Sequence, residues 1–300
     1  SSVDSVVGYV EFTQGNFDLG NPPYFTGGGQ KLRLRMQIGS QRQDYILSFI
    51  EPWFLDRKLA LSVDLYHRQL SYQSLENLYD EERTGAKVGL SRALGSDFLI
   101  GSLNYTIENI GIVNVYTAAP PSIVREEGNS LLSRFGGSLA YDTRNSTTLP
   151  DRGQRTEFFA EMTGGPFGGD RDFYRTELKS AWYFKGIAKG HVLELSGRAG
   201  VVESLNSGDP VPFYDRFYLG GLYSMRGYKY REVGPRELIT DGTGRTEPVG
   251  GNTYWFGSAE YSIPIIERFR FALFYDIGAV QPDSYDFSAT DYADNWGVGL

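Results

Sequence analysis

Apolar and polar side chains alternate with period two through almost the whole chain, the pattern of strands with one face in each of two environments. From Lys31 to Ile38, Leu32, Leu34, Met36 and Ile38 share one face, and Lys31, Arg33, Arg35 and Gln37 the other. Tyr45, Leu47 and Phe49 continue the apolar face, and Leu59, Leu61, Val63 and Leu65 then oppose Ala60, Ser62, Asp64 and Tyr66. The alternation is weaker over 84–92 and returns where Leu99, Leu103, Tyr105 and Ile107 oppose Ser102, Asn104, Thr106 and Glu108. Beyond it Phe135, Leu139 and Tyr141 oppose Arg134, Ser138 and Asp142, and Phe158, Ala160 and Met162 face away from Glu157 and Glu161. Val6–Phe12, Phe173–Phe184, Val192–Val201, Tyr254–Ile263 and Phe269–Gly278 complete the set, with a last run from Asn295 to Leu300. Two long connections, Gly111–Asn129 and the stretch between Val201 and Tyr254, interrupt the rhythm, and no helical period competes. Roughly twelve strands and a stub are expected, joined alternately by short turns and longer loops.

Two architectures use many such strands. A soluble sandwich buries one face in a dry core and solvates the other. A membrane barrel turns a simple aliphatic face to lipid and edges it with aromatic residues. The apolar faces here are mostly Leu, Val, Ile and Ala in their middles, while Tyr45, Trp53, Phe54, Tyr105, Tyr141, Trp182, Tyr183 and Trp255 lie toward segment ends or turns. The opposite faces carry charges of both signs, as a watery or loop-filled lumen allows. The expectation is an all-β fold: a transmembrane antiparallel up-and-down β-barrel, with a sandwich as the alternative.

Composition agrees. Aromatic residues make up 15% of the chain and glycine numbers 37, which suits strands and tight turns, and no run of 18 apolar residues offers a spanning helix. A net charge of -8 argues against a nucleic-acid partner held by phosphate neutralisation. Cysteine is absent, which closes disulfides and thiolate chemistry. The two histidines, His67 and His191, stand too far apart in strand order for a metal pair or a nucleophilic triad. The Gly27–Gly29 run and Gly164-Gly165 are turn glycines, since no helix follows to cradle a phosphate. No catalytic residue, metal site or cofactor is expected.

Phe217–Arg236, FYLGGLYSMRGYKYREVGPR, fits no strand or helix period. Glycines flank Ser224-Met225-Arg226-Gly227-Tyr228, allowing sharp turns and close backbone approach, and Arg226 offers a rigid fork of donors suited to a fixed carboxylate. An ordinary Gly-rich surface loop would read the same way. A wide lumen, however, would let the loop fold inward. By parity Trp255, Ala259, Tyr261 and Ile263 point outward and Glu260 inward; on the next strand Phe269, Phe271, Leu273, Tyr275 and Ile277 point outward and Asp276 inward, with Gly278 beside it as a point of close approach. Adjacent antiparallel strands can bring Glu260 and Asp276 within reach of one guanidinium. Both acids could equally face water in the lumen.

The Leu-Gly-Gly-x-x-Ser-x-Arg-Gly-Tyr pattern of Leu219–Tyr228, with Gly220, Gly221 and Ser224, resembles the loop signature of the outer-membrane insertase superfamily, the BamA-like barrels with upstream POTRA modules. Phe274–Gly278 and Ser258–Tyr261 resemble that family's Asp- and Glu-containing strands. Asp142-Thr143-Arg144-Asn145 followed by Leu149-Pro150-Asp151-Arg152-Gly153 resembles its turn after the middle strand, and Glu51-Pro52-Trp53-Phe54 an early inner-side turn. The resemblance spans nearly the whole chain. It implies that residues 1–300 are the barrel portion, about 12 to 13 of 16 strands, without the POTRA region, first strand and final strands. Ser1–Asp4 has neither the basic start nor the apolar core of a signal peptide, in keeping with a piece of a longer chain. It further implies a bacterial outer-membrane factor that folds and inserts β-barrel proteins without ATP. Its partners would be unfolded outer-membrane protein clients, membrane lipid and, in the full-length protein, accessory assembly lipoproteins. In that family Arg226 would lock the loop to Glu260 and Asp276, with Gly227 and Tyr228 shaping its tip. A two-partner-secretion or TamA-type translocation barrel of the same superfamily, and a passive porin, are the alternatives.

Overall fold

The computed structural model describes residues 7–73, 77–266 and 269–299; Ser1–Asp4, Val6 and Leu300 lie outside them. Ten strands follow one another from the start: β1 (Val7–Phe17), β2 (Gln30–Gly39), β3 (Arg42–Glu51), β4 (Ala60–Gln73), β5 (Asn77–Ala93), β6 (Leu99–Val113), β7 (Gly128–Asp142), β8 (Gly153–Thr163), β9 (Phe173–Lys185) and β10 (Val192–Ser204). A small hairpin, β11 (Arg236–Leu238) and β12 (Thr246–Pro248), lies within the long connection that follows. The wall resumes with β13 (Thr253–Ile266), β14 (Phe269–Gln281) and β15 (Ala293–Gly299).

Thirteen of these strands form one antiparallel sheet in which each pairs with its neighbours in chain order, the up-and-down topology of a barrel wall. Within the described residues β1 and β15 are its two edges, so this stretch of wall is not closed on itself. Strands extend past several of the sequence-assigned segments. The 84–92 segment is the second half of β5, and the connection expected over 111–129 shrinks because β6 runs to Val113 and β7 starts at Gly128. Glycine weakens period-two patterns without stopping the backbone from pairing, as at Gly85 and Gly89.

Outward positions such as Leu65, Leu103, Leu139, Phe158, Leu178 and Leu273 are exposed, as a lipid-facing surface requires. Among the described residues no helix is long and apolar enough to cross a membrane. One end of the wall carries the connections 52–59, 94–98, 143–152 and 186–191; the other carries the long ones, 114–127 and 205–252. The core is not between two sheets. It lies on the concave face, where the two long connections pack against inward side chains.

One buried cluster joins Tyr79 of β5, Ile110 of β6 and Leu132 of β7 to Ile123 and to Phe213 and Ile239 of the long loop. A second joins Phe173, Val202 and Phe256 of the wall to Phe217, Leu219 and Met225 of that loop. The 114–127 connection, expected to be polar, holds a single helical turn, α1 (Pro121–Val124), that presses Ile123 into the first cluster. The Ser122 hydroxyl and backbone N–H both donate to the Glu237 carboxylate, and Thr240 N–H donates to the Ala118 carbonyl at 2.8 Å. The two connections therefore form one cap.

Candidate functional site

β13 and β14 pair so that Ser258 stands opposite Asp276 and Glu260 opposite Phe274, all four on the inward face. The loop tip descends onto this square. Arg226 Nε donates to Asp276 Oδ2 at 2.9 Å, Nη2 to Oδ1 at 2.8 Å, and the Arg226 backbone N–H to Oδ2 at 3.2 Å. Nη1 pairs with Glu260, and Nη2 also reaches Ser258 Oγ at 3.1 Å. Ser258 Oγ in turn donates to Asp276 Oδ1 at 2.7 Å. The guanidinium lies over the Phe274 ring, 3.6 Å from its centre. The Asp276 side chain is fully buried, whereas Arg226 and Glu260 keep 23% and 28% of their side-chain exposure. Bidentate geometry and complete burial make Asp276 the principal partner; Glu260 is the wetter, weaker one.

The loop backbone is shaped for this approach. Gly220 and Gly221 have φ of 114° and 99°, and a Cβ on Gly220 would stand 2.2 Å from the Lys229 carbonyl oxygen. Gly220 N–H donates to Ser224 Oγ at 2.9 Å, and Gly221 N–H meets the Met225 and Tyr228 carbonyls, tying the tip into a knot around buried Met225. A Cβ on Gly227 would come within 2.9 Å of the Asn295 side chain on β15, while the Tyr228 hydroxyl donates to the Asp294 carbonyl at 3.2 Å. Gly278 is a point of close approach: a Cβ there would stand 2.8 Å from Leu219 Cδ1 and from the Trp255 carbonyl oxygen. Of the sequence-selected residues, Arg226, Gly227, Tyr228, Glu260, Asp276, Gly220, Gly221, Ser224 and Gly278 thus come together.

The turn after β7 is a separate unit that faces the same space. Arg144 grips Asp142 with two side-chain bonds, at 2.9 and 2.7 Å, and with its backbone N–H at 3.1 Å. Gly153 has φ of 95° and no room for a side chain, since a Cβ would meet the Thr143 carbonyl oxygen at 2.3 Å. Arg144, Leu149 and Pro150 on one side, and Arg226 and Glu260 on the other, line a cavity of about 590 Å³. Glu51, Pro52, Trp53 and Phe54 lie elsewhere, in the β3–β4 turn, where Glu51 accepts from the Trp53 N–H and from Gln30 Nε2, each at 2.8 Å.

Sequence reasoning missed a second arginine anchor. Arg134 on β7 reaches Glu108 of β6 at 2.9 Å, Glu161 of β8 at 3.3 Å and Asp215 at the root of the long loop at 2.9 Å, and all four side chains are largely buried. The Tyr66 hydroxyl donates to Glu108 at 2.9 Å, and Arg175 donates to the Asp215 carbonyl at 3.2 Å. Burial works to raise the Asp215 pKa, but the Arg134 guanidinium, with Arg83 and Arg175 behind it, outweighs this and holds the carboxyl below its usual range. The available signal was Arg134 and Glu108 on facing strands; Asp215 sits in aperiodic sequence and gave none.

The family model of the Omp85 superfamily domain matches residues 25–300. The outer membrane protein assembly factor BamA of Nitratidesulfovibrio vulgaris is 28% identical over 267 residues, which is 88% of this chain and 32% of that protein. The sorting and assembly machinery component 50 homolog of Xenopus tropicalis is 28% identical over 249 residues, 81% of this chain and 49% of that protein. Among solved structures, BamA from Haemophilus ducreyi lacking POTRA domains 1–3 superimposes with a TM-score of 0.71 at 21% identity, over 91% of this chain and 55% of that one. The chain therefore spans about a third to a half of the length of these curated relatives.

Proposed function

Since the chain belongs to the Omp85 superfamily and is an outer-membrane β-barrel, we propose that it forms the BamA-like barrel of a bacterial factor that folds and inserts other β-barrel proteins. Its clients are unfolded outer-membrane proteins, its medium is the surrounding lipid, and accessory lipoproteins join it in the full-length assembly. No nucleotide is consumed: an unpaired strand edge in a barrel wall templates an incoming strand through backbone hydrogen bonds, and the client leaves into lipid once its own backbone is paired. Arg226 acts as a lock that holds the inward loop to Asp276 and Glu260, and the residues around it shape rather than react.

The observation that carries this reading is the loop tip seated on the wall by Arg226. A passive porin keeps its lumen open, whereas here the long loop packs against the inward face of the wall. Depletion of the full-length protein should lower several unrelated outer-membrane barrels together, and Arg226→Glu should fail to restore them. In liposomes free of nucleotide, the full-length protein should speed folding of a urea-unfolded barrel client. Loss of one dedicated exported protein with all barrels unchanged would assign the chain to the secretion branch instead.

A further inference from the structure

The outer face of β5–β9 carries a groove of about 840 Å³. Strand register explains it. Gly137, Ala160 and Thr176 are successive cross-strand neighbours on the outward face. They form a shallow row between bulky ones, Phe135, Met162 and Tyr174 on one side and Leu139, Phe158 and Leu178 on the other. The groove descends toward the short-turn end, where Gly101 opposes Arg92. Arg92 continues the outward positions Ala86, Val88 and Leu90 of β5 and is exposed. It lines the groove mouth with Leu59 and Leu94. Ala60 pairs with Ser91, so the register sets Leu59 against Arg92, and exposed Lys58 lies in the turn just before it. The one carboxylate in the lining, Glu161, belongs to the inward face, where Arg134 holds it. Trp53 and Leu55, 55% and 71% exposed, project from the neighbouring β3–β4 turn.

Short turns face the periplasm in outer-membrane barrels, and strand ends lie at headgroup level. A cation at that level above an apolar channel matches a phosphate joined to an acyl chain, and the exposed Trp53 marks the same depth. We propose that this face binds one anionic phospholipid of the periplasmic leaflet. Its phosphate sits on Arg92, and one acyl chain lies along Gly101, Gly137 and Ala160. The site is distinct from the Arg226 lock, which lies on the opposite face of the wall.

The test uses full-length protein in nanodiscs of phosphatidylcholine with a minor fraction of phosphatidylglycerol, released for native mass spectrometry. Wild-type protein should retain phosphatidylglycerol in preference to phosphatidylcholine. Arg92→Gln should cut that preference about fivefold, since an interfacial cation contributes on that scale. Ala160→Phe, which fills the groove, should lower retention of both lipids while leaving the preference intact. Heat-modifiable gel mobility verifies that each variant is a folded barrel. Equal retention of the two lipids by wild type, or a preference unchanged in Arg92→Gln, overturns the proposal. So does displacement of the lipid by inorganic phosphate.

Discussion

Replacing Arg226 by Met keeps the bulk of the side chain and removes its charge. Asp276, fully buried, then loses the Nε and Nη2 bonds and keeps only Ser258 Oγ at 2.7 Å and the residue 226 backbone N–H at 3.2 Å. Stripping the partner from a buried ion pair costs about 3–5 kcal/mol. The two surviving bonds favour the lower end, and Glu260, being partly exposed, adds at most about 1 kcal/mol because water screens it. A loss of about 3–4 kcal/mol results, at least a hundredfold in the folded-state equilibrium. Denaturant unfolding of the full-length protein, followed by tryptophan fluorescence, reads the loss; pulse proteolysis reads release of the loop. Adding Asp276→Asn to the Met variant removes the stranded charge and should recover about 1–2 kcal/mol, a coupling in the range expected for contacting residues. A Met variant within about 0.5 kcal/mol of wild type, or a double variant no better than the single, would refute the lock.

Arg134→Met should be at least as damaging as Arg226→Met, because Glu108 and Asp215 are both left buried without their principal cation; Asp215→Asn alone should be milder, as measured by the same unfolding curves. Gly227→Ala should cost about 1–3 kcal/mol through overpacking against Asn295, and Asn295→Ala should restore stability, since neither amide atom of Asn295 has a hydrogen-bond partner. Asp215 has a lowered pKa in the folded protein, so its contribution is fully present above the unfolded carboxylate value, about pH 4, and is lost as pH falls through the lower folded value. Proteolysis of the long loop should therefore rise as pH drops below about 4, and Asp215→Asn should flatten that rise.

Much of the wall was legible because period two survives in nearly every strand. The inward direction of Glu260 and Asp276 followed from parity alone, since Tyr261 and Ile263 on one strand and Leu273 and Tyr275 on the other leave no choice of face. The pairing register that sets Ser258 against Asp276, and so lets one guanidinium bridge both acids, depends on the turn between β13 and β14 and could not be read from either strand singly. The Arg134 cluster stayed hidden for a different reason. Its members come from three strands and an aperiodic loop, and an inward charge in an open lumen looks the same in sequence whether water or Asp215 faces it. The helical turn at Pro121–Val124 and the 236–248 hairpin are too short to show a period, and tertiary packing decides them.

The long loop is fastened at two separated places on the same wall: its root to β7 through Asp215 and Arg134, its tip to β13 and β14 through Arg226. Mechanically it is a chord drawn across an arc. A flattening or widening of the wall between β7 and β14 lengthens that chord, and neither end can slide, because each terminates in a directional set of charged hydrogen bonds. The loop therefore ties the position of β7 to that of β13 and β14, and moving those strands apart would require one of the two anchors to let go.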